Sequence, residues 1–119
     1  MADYLIDTQI FIWWMQSDPI LSPMAKRVLT DGESQIYVSL VAAWEIGIKT
    51  ATGKLDYGDR LLEAFETLTS DGSVSVLKPG FTDVLVMRQL PLHHRDPFDR
   101  MLIAQAKVTG LPLITTDRI

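Results

Sequence analysis

The chain contains no cysteine, which excludes disulfides and thiolate metal sites and fits a cytoplasmic location. No apolar run reaches the roughly 18 residues that a membrane helix needs. The opening Met1-Ala2-Asp3-Tyr4 lacks the positive segment of a secretion signal, so no membrane partner is expected. There is no Gly-x-x-x-x-Gly-Lys-Ser/Thr loop, which argues against a P-loop nucleotide hydrolase, and no Gly-x-Ser-x-Gly elbow. Asp7-Thr8-Gln9 lacks a second Asp two residues on, against an aspartyl-phosphate phosphatase. Basic residues are in deficit: 11 Lys and Arg face 15 Asp and Glu, a net charge of −4. Nucleic-acid binders are usually basic, so this balance disfavours RNA or DNA unless a divalent metal bridges acids to phosphate. Repeats, low-complexity segments and linkers are also missing. What remains is 119 residues, 47% hydrophobic and 22% charged, which fits one globular domain with a real core.

Strand and helix signals alternate. Tyr4-Leu5-Ile6 reads as a short buried strand, followed by a helix through Ile10 to Met15. Ser22-Pro23 opens a second helix as cap and first residue, running to about Leu29. Gln35 to Val38 is the second strand, and Ser39 caps a helix in which Leu40, Trp44 and Ile48 form an apolar stripe. Gly53 stops it. Arg60 to Thr69 is amphipathic, Ser73 to Leu77 is the third strand, and a short helix from Thr82 to Leu90 ends at Pro91. Asp96-Pro97 opens the clearest helix, which Gly110 terminates. Leu113 to Thr116 is the last strand. This order predicts an α/β fold with a parallel sheet covered on both faces.

In such a sheet ligands bind beyond the carboxyl ends of the strands. Asp7 and Asp117 both follow strands and fall on that edge. Asp96 and Asp99 open a helix that points toward it, and Glu45 lies on a mostly apolar helix beside Ala42, Ala43 and Gly47. Carboxylates gathered in this way repel one another and invite a hard cation with oxygen ligands, Mg²⁺ or Mn²⁺. Four of these acids also have a plainer use. Asp7 and Asp96 suit N-caps, Asp99 suits the helix dipole, and Glu45 can pair with Lys49 one turn on. His93 and His94 are better read as solvated than as ligands. Arg95, Arg100 and Arg118 fit either phosphate binding or ion pairs with the acids. Trp13, Trp14 and Trp44 are read as core or interface.

The segments Leu5-Ile6-Asp7-Thr8, Trp44-Glu45-Ile46-x-x-Lys49 with Gly53-Lys54-Leu55, Leu92 to Ala106 around Asp96-Pro97-Phe98-Asp99, and Leu113 to Asp117 resemble a PIN-domain protein of the VapC toxin type. The resemblance runs in order along the whole chain, and Asp96 to Ala106 is its most specific part. It implies a three-layer α/β/α sandwich with a central parallel sheet and an Mg²⁺ site whose four acids fall on Asp7, Glu45, Asp99 and Asp117. Asp96 belongs to the same motif as a further metal ligand. It also implies an endoribonuclease, the toxin of a pair neutralised by a small antitoxin. The family pattern continues past its fourth acid into a final strand. A single nuclease domain over residues 1–119, truncated at its C-terminus with that strand missing, is therefore the expectation.

The expected reaction is metal-assisted hydrolysis of RNA phosphodiester bonds, with Asp7 and Asp99 as direct ligands. Glu45 and Asp117 would act through water, and Thr8, Ser39, Thr115 and Thr116 would support them by hydrogen bonds. A homodimer is expected from the apolar Ile10, Phe11, Trp13, Trp14 and Met15, too many for one helix face. The antitoxin is expected to lay an apolar helix near Trp13, Trp14 and Trp44, with an Arg or Lys among Asp7, Glu45 and Asp99. The rival from another class is a non-catalytic module that binds an antitoxin-like partner. A structure-specific DNA nuclease is a third reading, for which this short chain lacks extra helical segments.

Overall fold

The computed structural model of the protein describes residues 2–91 and 96–115. Asp3–Ile6 (β1), Gln35–Ser39 (β2), Ser75–Leu77 (β3) and Leu113–Ile114 (β4) form one sheet in the order β3-β2-β1-β4. All pairings are parallel. Between the strands lie Thr8–Met15 (α1) and Pro23–Thr30 (α2), then Leu40–Ala51 (α3) and Gly58–Ser70 (α4), then Phe81–Met87 (α5) and Pro97–Thr109 (α6). The chain winds outward from β1 to β3 and then returns to β1's other side. Right-handed crossovers then place the two sets of helices on opposite faces.

The side chains agree with that arrangement. Ile6, Ile36 and Val38 join Ile10, Phe11, Leu29, Ile46 and Phe65 in one apolar cluster. Leu5 points to the other face and is fully buried, as are Leu102 and Ala104 of α6. No helix among the described residues is long and apolar enough to cross a membrane.

Local chemistry sets the element ends. Asp7 caps α1, so this helix starts at Thr8 and not at Ile10. Ser22 and Ser39 cap α2 and α3 through their hydroxyls. Asp96 caps α6, Pro97 is its first residue, and Gly110 closes it in the left-handed conformation at φ 76°. The third strand is shorter than Ser73 to Leu77. The Ser73 N–H donates to Asp71, and the Val74 N–H to the Leu68 carbonyl, so both are held by the end of α4. The last strand is Leu113–Ile114, followed by Thr115, whose hydroxyl donates to Asp7; Thr116, in which the expected strand ended, lies outside the described residues.

The α3 stripe of Leu40, Trp44 and Ile48 faces solvent, with Trp44 62% exposed. The buried face of α3 is Val41, Ala42, Glu45 and Ile46. The apolar residues of α1 likewise do not form a free surface. Ile10, Phe11 and Ile12 are core, and Trp13, Trp14 and Met15 pack partly buried against it.

Candidate metal centre

β1 is a central strand, and its carboxyl end is flanked by the ends of β2 and β4. The crossovers build the sheet outward on one side of β1 to β2 and β3 and then on its other side to β4, so the gap between β1 and β4 is the switch point where α/β sheets bind ligands. A cleft of about 210 Å³ lies there, lined by Asp7, Thr8, Gln9, Glu45, Lys49, Asp96 and Asp99. Three elements supply its acids: the β1–α1 junction, the middle of α3 and the first turn of α6.

Asp7 is buried and held from two sides. Its Oδ1 accepts from the Ile10 N–H at 2.8 Å. Its Oδ2 accepts from the Thr115 hydroxyl at 2.7 Å, across the β1–β4 boundary. Capping and a place in the cleft are thus compatible in this residue. Glu45 is only 7% exposed. Its Oε2 meets Lys49 Nζ at 2.9 Å, while its Oε1 is buried with no hydrogen-bond partner. The Thr8 hydroxyl is in the same condition, and Thr8 is among the residues lining the same cleft.

Asp96 is exposed, and its Oδ1 accepts from the Phe98 and Asp99 N–H groups at 2.8 and 3.1 Å. Asp99 follows in the first turn of α6, where the helix N-terminus favours negative charge. Phe98, between them, packs edge-on against Trp44 with ring centroids 5.1 Å apart. This contact joins α6 to α3, and so joins the Asp96–Asp99 end of the cleft to Glu45.

Other expected site residues lie elsewhere. Ser39 is fully buried at the α3 cap, where its Oγ accepts from the Val41 N–H at 3.0 Å. Arg100 donates to the Met87, Leu90 and Pro91 carbonyls at 2.7, 3.4 and 3.1 Å. Those carbonyls lie at the C-terminal end of α5 and in the residues after it, so Arg100 fastens α5 to α6 and is not among the residues lining the cleft. Arg95, Thr116 and Asp117 lie outside the described residues, as do His93, His94 and Arg118. Gln9 and Lys49 are lining residues that sequence reasoning did not place in the site. The i, i+4 spacing from Glu45 was the available signal for Lys49, and it was read only as a surface pair.

Carboxylate and hydroxyl oxygens make up most of the donor set, and this suits a hard divalent cation. An unpaired buried carboxylate oxygen is costly, and a cation would relieve that cost. Among the described residues no three acidic or imidazole side chains are close enough to enclose an ion unaided.

A profile of the PIN domain family matches residues 4–119. The chain belongs to the PIN domain family. Its fold is shared with VapBC2 from Rickettsia felis bound to a promoter DNA fragment, at TM-score 0.69 and 14% identity over 98% of this chain and 89% of that one. DNA-bound VapBC from Salmonella typhimurium matches at TM-score 0.68 and 20% identity, over 97% of this PIN domain and 86% of that chain. VapBC-1 from nontypeable Haemophilus influenzae matches at TM-score 0.68 and 26% identity, over 98% and 87%. No curated protein sequence matches the chain.

Proposed function

We propose that this PIN domain is an endoribonuclease dependent on Mg²⁺ or Mn²⁺ and the toxin of a toxin–antitoxin pair. The observation that carries the reading is the pair of unpartnered buried oxygens, Glu45 Oε1 and Thr8 Oγ1, on two residues that line a cleft together with Asp7, Asp96 and Asp99. These residues, with Asp117 outside the described region, would hold the cation. When bound, it would supply an activated water and charge for the leaving oxygen.

The chain's own groups do the positioning. Ile10 N–H and Thr115 Oγ hold both Asp7 oxygens in place. The α6 N-terminus favours the Asp99 carboxylate. Burial of Glu45 on α3 keeps a proton acceptor at the cleft wall, suited to orient an attacking water. Acids without a cation would repel RNA, so the −4 net charge is consistent with substrate binding only in the metal-loaded state.

The structural neighbours support the partner. One is a toxin–antitoxin complex from Klebsiella pneumoniae, and others are VapBC assemblies. A small antitoxin that places an Arg or Lys among Asp7, Glu45 and Asp99 would block the cleft by taking the cation's role. A cytoplasmic homodimer completes the reading, and light scattering that showed monomer alone at high concentration would remove the dimer.

A non-catalytic binding module is the second reading. It is favoured by Lys49, which already neutralises Glu45, and by the absence of a ready three-acid enclosure among the described residues. Incubation with total RNA in Mg²⁺, against EDTA, separates the two. The nuclease reading expects cleavage in Mg²⁺ that Asp99→Asn abolishes. Intact RNA in Mg²⁺ and Mn²⁺ alike would favour the binding module.

A further inference from the structure

Lys49 is not accounted for by the acids' role in the cleft. It stands on α3 one turn after Glu45, lines the cleft, and its side chain is 41% exposed. Its Nζ is 2.9 Å from Glu45 Oε2. A buried glutamate beside several acids is costly when uncompensated. One ammonium in contact with it lowers that cost without closing the site, since Glu45 Oε1 has no partner. The arrangement is asymmetric: one carboxylate oxygen is neutralised from within the chain, and the other is buried without a hydrogen-bond partner.

Resting on the metal-dependent reading above, we propose that Lys49 is an internal counter-ion that holds Glu45 in the metal-free protein and competes electrostatically with the divalent cation. It is a positioning residue and contacts no reacting atom. Two consequences follow from Coulomb's law. Removing the ammonium leaves a buried carboxylate unpaired, so the metal-free protein loses stability. It also removes a positive charge beside the cation's place, so the cation binds more tightly. At an exposed side chain the effect is screened, and about a fivefold tightening is the expected size. Lys49→Met keeps the aliphatic stem while deleting the charge. Lys49→Arg keeps the charge.

The test is Mn²⁺ binding to the purified chain, followed by electron paramagnetic resonance of free Mn²⁺, with thermal melting in EDTA alongside. No RNA is present, so the readout does not depend on cleavage. The proposal expects Lys49→Met to bind Mn²⁺ about fivefold more tightly than wild type. It should melt at a lower temperature in EDTA and regain that loss in excess Mn²⁺, while Lys49→Arg stays close to wild type in both. Equal or weaker Mn²⁺ binding by Lys49→Met would overturn the counter-ion role and leave the metal reading standing. Should Lys49→Met fail to fold in EDTA, folding on addition of Mn²⁺ would support the role, and failure to fold in Mn²⁺ would overturn it. If neither wild type nor variant bound Mn²⁺, the metal reading and this proposal would both fall.

Discussion

Asp7 carries two jobs that a pair of substitutions can separate. One oxygen caps α1 at the Ile10 N–H, and the other accepts the Thr115 hydroxyl. Asn is as good an N-cap as Asp, and its amide can reverse the sense of the Thr115 bond. Asp7→Asn therefore keeps the local structure and removes only the charge. Asp7→Ala removes all of it. The lost cap costs about 1 kcal/mol, and the lost hydroxyl bond about 1 kcal/mol more. Relief of repulsion among the cleft acids offsets a small part. The expected order is Asn within about 0.5 kcal/mol of wild type and Ala about 2 kcal/mol below it, or roughly 8 °C in Tm for a domain of this size. Urea unfolding in EDTA measures both without metal. RNA cleavage in Mg²⁺ should fall to background in both variants, since neither retains the carboxylate. Equal destabilisation of Asn and Ala would refute the capping argument. Full cleavage by Asp7→Asn would refute Asp7 as a metal ligand.

Mg²⁺ should raise the melting temperature, because it binds only the assembled acids; at a hundredfold excess over Kd the gain is about 2.7 kcal/mol, and a flat Mg²⁺ titration against EDTA would contradict the site. Arg100→Met should cost roughly 1–3 kcal/mol in urea by removing the guanidinium bonds to the Met87, Leu90 and Pro91 carbonyls, and a variant of unchanged stability would show that water replaces the guanidinium. Gly58→Ala should lose about 1–3 kcal/mol, since a Cβ there would collide with the Thr50 side chain where α4 meets α3, and wild-type unfolding would mean that the contact relaxes freely.

Short-range signals were legible wherever a backbone group has a near neighbour in sequence to satisfy it. Ser22-Pro23 and Asp96-Pro97 with Gly110 marked two helices closely, because capping and φ preference act within three or four residues. Alternating strands and helices were enough for a parallel α/β sandwich. The acids after β1 and at the start of α6 could be placed at one sheet edge because parallel strands end on the same side.

The face that α3 buries was not legible in this way. Its sequence shows Leu40, Trp44 and Ile48 as an apolar stripe, with Trp44 read as core or interface, whereas the fold turns Glu45 and Ala42 inward and leaves Trp44 exposed. Burial of a charged residue against its own hydrophobicity requires a neighbour that the helix itself cannot supply. Here that neighbour is the cleft formed by β1, α3 and α6. Arg100 shows the same limit: its sequence position beside Asp99 suggested phosphate or ion pairing, and only the packing of α5 on α6 brought the carbonyls it holds within reach. The sequence by itself determined the elements, their caps and the parallel sheet, since these rest on local backbone hydrogen bonding and apolar periodicity. Only the tertiary structure decided that β1 lies inside the sheet, that Asp7 and Thr115 meet across 108 residues, and that Glu45 turns inward with one oxygen unpaired. Those outcomes depend on contacts between distant segments, whose closeness no local preference encodes.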